Sequence, residues 1–164
     1  MPAFFNNRIQ IILWLGSLLL SALLLAGIFL APYLHESRPA WSALVYHLFS
    51  SVCHQRPERS FFLLGQPLAV CSRCLGFYSG FFLGLLFYPW LPASLVRRLE
   101  NSPVIILVAA GPLVVDALGG LLGLWWTPPE LRLATGLLWA LILPVFWLKA
   151  LRQLKPGKSA GSAG

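Results

Sequence analysis

All three cysteines of the chain fall in one stretch, Cys53-His54 followed by Cys71-Ser72-Arg73-Cys74. Cys71 and Cys74 are separated by two residues, a spacing that suits one helical turn or a tight loop. Two thiolates so placed bite one metal ion or close a small disulfide. Cys53 and His54 complete a set of three sulfurs and one imidazole, which is a zinc ligand set; sulfur-rich tetrahedral sites also suit iron. Adjacent residues diverge on a regular helix, so Cys53 and His54 can both serve only where the backbone turns. His47, seven residues before His54 on the same helical face, is a substitute ligand. Cys74 opens an apolar run, where a helix N-terminus and neighbouring Arg73 would stabilise a thiolate.

Two other chemistries use the same residues. A Cys71–Cys74 pair with Cys53 as resolving thiol can exchange disulfides, which makes a membrane thiol-disulfide oxidoreductase the alternative to metal binding. An odd count of three fits exchange or a metal better than a static staple, yet structural thiols in an accessory or assembly subunit are a third reading. A Cys53-His54 nucleophile pair is disfavoured by adjacency. The chain has no Gly-rich phosphate loop, no HExxH and no nucleophile elbow. Enzymatic activity is therefore not assigned.

The elements that must position these residues are membrane helices. Of 164 residues, 58% are hydrophobic and only 10% charged, against about 25% charged in a soluble domain; mean hydropathy is +0.76. We expect an all-α polytopic bundle, a single membrane domain over 1–156 with four spans at about 9–30, 74–88, 103–124 and 131–148, and a flexible tail at 157–164. The first apolar run is longer than a signal peptide core and reads as an uncleaved span. The second is short and must tilt or begin in the interface. Ala40–Val52 reads as a short interfacial helix with Trp41, Leu44, Val45, Leu48 and Val52 on one stripe. Phe61–Leu64 is either a shallow re-entrant piece or ordinary loop packing, the latter favoured. Thr127-Pro128-Pro129-Glu130 reads as a capping box with Pro128 at the first helical position, and Pro112 and Pro144 should kink their spans.

Span two carries Ser72, Gly76, Gly80 and Gly84 along one face, which lets another helix approach closely. The reading is structural, with Gly119 and Gly123 of span three as a matching surface; the same face could join a second copy or a partner membrane subunit. The net charge of +7 does not indicate nucleic acid, because the basic residues are spread over loops and tail rather than organised by a soluble module. They fit the lipid bilayer instead. Arg8, Arg97, Arg98, Lys149, Arg152, Lys155 and Lys158 fall on one side of four spans, against Arg38, Arg56, Arg59, Arg73 and Arg132 on the other. This favours cytoplasmic N- and C-termini in a multi-pass cell (plasma) membrane protein, with the cysteines outside.

Charges inside the spans form a second polar site. Asp116 sits in mid-span, at a cost of roughly 2.5–3.5 kcal/mol unless paired or wet. Arg132, across the short turn, is its expected partner, with Tyr78 as an additional donor. The pair reads as a buried structural contact, or else as an ion or proton site. Arg56 and Arg59 beside Ser60 can hold a phosphate or carboxylate, or contact lipid headgroups.

Together these residues resemble a family signature. Cys53-His54-Gln55, Arg59-Ser60-Phe61, Gly65 and Cys71-x-Arg73-Cys74-x-Gly76-x-Tyr78-x-Gly80 are similar to the motif of a family of small bacterial and archaeal membrane proteins of unknown function. The resemblance continues through Pro112, Asp116, Arg132 and Thr135-Gly136, so it covers about Val52 to Leu141. Where that family usually has Asp-Gly and a nearby Gln, this chain has Asp116-Ala117-Leu118-Gly119. The resemblance implies a fold class and a motif, and no activity.

Overall fold

The structure is a computed structural model that describes residues 8–153. The predicted tail at 157–164, with Lys158, and Lys155 before it lie outside the described residues. The helices are α1 (Arg8–Tyr33), α2 (Pro39–Ser50), α3 (Ser72–Phe87), α4 (Ala93–Asn101), α5 (Val104–Leu121), α6 (Pro129–Ala140) and α7 (Leu143–Gln153). The all-α expectation holds, apart from a hairpin of two short strands, β1 (Phe62–Leu63) and β2 (Gln66–Pro67), at the favoured loop. Its two-residue turn, Leu64-Gly65, has both residues at positive φ, the geometry that follows the right-handed twist of paired strands.

α1, α5 and the α6–α7 unit are long and apolar enough to cross a membrane. α3 has 16 residues and is continued by a 3-10 turn, Tyr88–Trp90. At about 1.5 and 2.0 Å rise per residue these reach about 30 Å, the thickness of a bilayer core. The last apolar segment breaks at Leu141–Ile142. Pro144 explains it, because proline offers no N–H to the carbonyl four residues back. Pro112, by contrast, lies inside an uninterrupted α5.

The glycine stripe of α3 packs within the chain. A Cβ at Gly76 or Gly80 would overlap the carbonyl oxygens of Leu133 and Leu137, and one at Gly84 would crowd Leu141 and Pro144. Conversely, a Cβ at Gly136 would overlap the Arg73 carbonyl oxygen. Partner numbers rise together, so α3 and α6 run parallel with their backbones in contact. This corrects two expectations. The matching surface is Gly136, Ala140 and Pro144, while Gly119 is covered by the Trp125 ring. The Gly76/Gly80/Gly84 face is occupied by α6 and α7 and is not open to a second copy or partner subunit.

α1 lies along this pair. The Trp14 indole donates to the Leu85 carbonyl at 2.8 Å, and Trp147 donates to the Ser17 hydroxyl at 3.0 Å. Ser42 of α2 donates to the Ala31 carbonyl at 2.7 Å. α2 thus faces the bundle through Ser42 and Phe49, while Trp41, Leu44, Leu48 and Val52 of the expected stripe point outward as an interfacial helix requires. α4 falls where a loop was expected. Its Val96 is buried with Leu85, Tyr88, Val145 and Leu148, and Glu100 accepts from Arg152 at 2.7 Å.

Asp116 is 6% exposed and pairs with Arg73, not with Arg132 as expected. Arg73 Nε and Nη2 both reach Asp116 Oδ2, the former at 3.1 Å. The parallel packing of α3 on α6 brings Arg73 to α5, whereas Arg132 Nε is spent on the Thr127 carbonyl at 3.0 Å. The capping box also fails: Pro128 is the N-cap, and the buried Thr127 hydroxyl has no hydrogen-bond partner among the described residues. Tyr78 does not join the pair; it packs edge-on against Phe49 and Phe77.

Two stability predictions follow from this packing. Gly80→Ala should cost about 1–3 kcal/mol by overpacking, whereas Gly111→Ala, where an added Cβ meets nothing within 4 Å, should change stability by less than about 0.5 kcal/mol; thermal unfolding in detergent compares them. Asp116→Leu should cost about 3 kcal/mol by stranding Arg73, and Arg73→Met with Asp116→Leu should recover most of that loss. Equal loss in the single and double variants would contradict the pairing.

Candidate metal centre

The chain leaves α2 at Ser50 and turns through Ser51–Val52, with the Cys53 N–H donating to the Phe49 carbonyl at 3.0 Å. This is the backbone turn that Cys53 and His54 require, and it sends them to different surroundings. Cys53 is 5% exposed within an apolar cluster that includes Phe49, Leu68 and Val70. His54 is exposed.

Gln55 then secures the segment. Its backbone has φ +48°, and its side-chain Nε2 donates to two carbonyls, Tyr46 at 2.7 Å and Ala69 at 2.8 Å. The first belongs to α2 and the second to the run that leads into Cys71, so one amide fixes the two cysteine-bearing segments to each other. Sequence reasoning quoted Gln55 only as part of a motif; its position beside Cys-His was the available signal. Tyr46 adds a hydroxyl bond to the Pro67 carbonyl. The buried run Leu68–Val70 delivers Cys71 to the N-cap of α3 in extended conformation, and Cys74 follows in the first turn.

The three Sγ atoms all lie within 4.8 Å of one another, and no cysteine is in a disulfide. The Cys71 N–H donates to Cys53 Sγ at 3.2 Å. The neighbouring thiols of Cys71 and Cys74, together with backbone N–H groups of Cys71 and Gln55, lower the Cys53 pKa below the ordinary thiol range despite its burial. These donors all favour the thiolate form of Cys53.

The sulfurs open onto a cavity of about 480 Å³. His54 borders it but is not part of the three-sulfur group. His47 is exposed on α2 and does not line it. The rest of the polar wall is four guanidinium groups, from Arg56, Arg59, Arg73 and Arg132, with Gly120 and Leu121 of α5 on the far side. Ser60 is buried outside the wall, its hydroxyl donating to the Arg56 carbonyl at 2.9 Å. It thereby closes the 3-10 turn Pro57–Arg59 that carries Arg59. Asp116 lies behind Arg73, and Tyr78 lines a separate apolar groove with Phe81 and Trp147.

Residues 53–146 match a family described as "Predicted membrane protein (DUF2085)". The match opens on Cys53 and takes in all three cysteines, the four cavity arginines and Asp116. An uncharacterized protein of Methanocaldococcus jannaschii is 36% identical over 140 residues, covering 79% of this chain and 89% of that protein. A second, from Methanothermobacter thermautotrophicus, is 34% identical over 89 residues, covering 54% of this chain and 78% of its own. No solved structure matches. The chain belongs to the DUF2085 family of predicted membrane proteins.

Proposed function

We propose that this membrane protein binds one zinc or iron ion through Cys53, Cys71 and Cys74, with His54 on the cavity wall as fourth donor. The mutual approach of the three sulfurs within 4.8 Å carries the reading. Metal–sulfur bonds of about 2.3 Å at tetrahedral angles put sulfurs about 3.8 Å apart, so little movement closes the set on an ion. A disulfide would use two of the sulfurs and leave the third beside it. The Cys71 N–H on Cys53 Sγ is the kind of hydrogen bond that orients and tunes a metal thiolate. The thiol-exchange alternative rests on the same distances and needs an external electron acceptor in addition.

The chain's setting is part of the proposal. α1, α3, α5 and α6–α7 cross the bilayer in turn, which returns both ends to one side. Arg97, Arg98, Lys149 and Arg152 gather at the α4 end, which we assign to the cytoplasm of the plasma membrane. The metal centre then lies at the extracytoplasmic face.

Cobalt(II) tests the ligand set. One equivalent added to reduced protein in detergent should produce thiolate-to-cobalt charge-transfer absorption. Cys53→Ser, Cys71→Ser and Cys74→Ser should each weaken those bands. His54→Ala should keep them while lowering affinity and altering the ligand-field bands. The reading fails if no such absorption develops and the three thiols alkylate at the same rate with and without added metal.

A further inference from the structure

We propose that the cavity beside the thiols is a binding site for an oxyanion of the phosphate class, held by Arg56, Arg59 and Arg132. The proposal does not depend on the metal. Its basis is a charge imbalance in a partly open cavity. Among the described residues the wall contains no carboxylate. The buried Asp116 is hydrogen-bonded to Arg73 through Oδ2, and Glu58, the acidic residue next to Arg59, is exposed and does not line the cavity. Arg56, Arg59 and Arg132 have no carboxylate partner among the described residues.

Arg132 is the most informative of the three. It is 5% exposed and lies near two other guanidiniums, Arg59 and Arg73, with Asp116 as the nearby carboxylate; burying a guanidinium that is not fully paired is expensive. Its Nε is satisfied by the Thr127 carbonyl, which directs the charge-bearing fork elsewhere, and its two Nη groups have no hydrogen-bond partner among the described residues. The side chain borders the cavity, so an anion there would meet a donor pair of the planar geometry that suits phosphate oxygens.

The thiolates do not use up this charge. A divalent ion on three thiolates carries one net negative charge, and three unpaired guanidiniums exceed it. Three cations exceed the needs of one carboxylate and suit a doubly charged phosphate group. The volume, about 480 Å³, admits an inorganic phosphate or the phosphate end of a larger molecule, and the cavity's place at the ends of α3, α5 and α6 also puts it within reach of a lipid headgroup.

The experiment is a calorimetric titration of inorganic phosphate into reduced, chelator-treated protein in non-ionic detergent. In parallel, native mass spectrometry measures retention of phosphatidic acid against phosphatidylcholine. Both are repeated with Arg56→Gln and Arg59→Gln, which leave the buried Arg132 in place, and melting curves show that the variants fold. Saturable phosphate binding, weakened about tenfold or more by each substitution as for loss of a charge-assisted bond, supports the site with a free anion as ligand. Selective retention of phosphatidic acid, lost in the variants, supports it with a headgroup as ligand. Neither ligand binding, or binding unchanged in folded Arg56→Gln and Arg59→Gln, overturns the proposal.

Discussion

Backbone meets backbone between α3 and α6, and the polar site depends on that contact. Gly76, Gly80 and Gly84 on one helix and Gly136 on the other remove the side chains that would hold the axes apart. In lipid no hydrophobic force draws two apolar helices together, so close packing supplies much of their attraction. The parallel arrangement puts the first turn of α3, with Cys71, Arg73 and Cys74, beside the first turns of α6, with Arg132. An ordinary side chain at any of these glycines would move the α3 thiols away from Arg132, although none of the glycines has chemistry of its own.

The rest of the site is built on that contact from three directions. α5 brings Asp116 to Arg73 and so converts one of four arginines into a structural cation. α2 brings Cys53 through the turn at Ser51–Val52, and Gln55 ties that turn to the segment entering Cys71 by two hydrogen bonds. The loop that carries Arg56 and Arg59 is held by Ser60. Each tie is short-range and polar, at one end of a bundle whose other end is packed mainly by apolar groups and the Arg152–Glu100 pair. Polar residues in such a setting are costly unless partnered. The arginines that lack carboxylate partners are therefore the feature of this family member that calls most directly for a ligand.

Much of this was legible in the sequence because it is local. Hydropathy marks α1, α5 and α6–α7, Pro144 marks the break between α6 and α7, and small residues every four positions mark a packing face on α3. Clustering of the cysteines and arginines within about eighty residues marked the polar end. What the sequence did not disclose is which helix meets which. Asp116 and Arg132 flank a short turn and invite pairing by proximity in the chain, but α3, distant in sequence, supplies Arg73 instead. The glycine face found Gly136 rather than Gly119 for the same reason. Thr127 looked like a cap because Glu130 follows at the right spacing, yet two prolines shift the helix start by one residue. The amphipathic α4 went unseen because nine residues with Arg97, Arg98 and Glu100 resemble a basic loop, and only the burial of Val96 against α3 and α7 makes it a helix. Gln55 showed no role until its two carbonyl partners, 9 and 14 residues away, were brought together.

The central claim is that the three sulfurs hold an ion. The most direct test is elemental analysis of protein purified in detergent without chelator under anaerobic conditions, alongside a Cys71→Ser/Cys74→Ser variant. The account predicts about one equivalent of zinc or iron per chain, absent from the variant. Protein that retains three titratable thiols and carries no metal, or metal equally present in the variant, would contradict it.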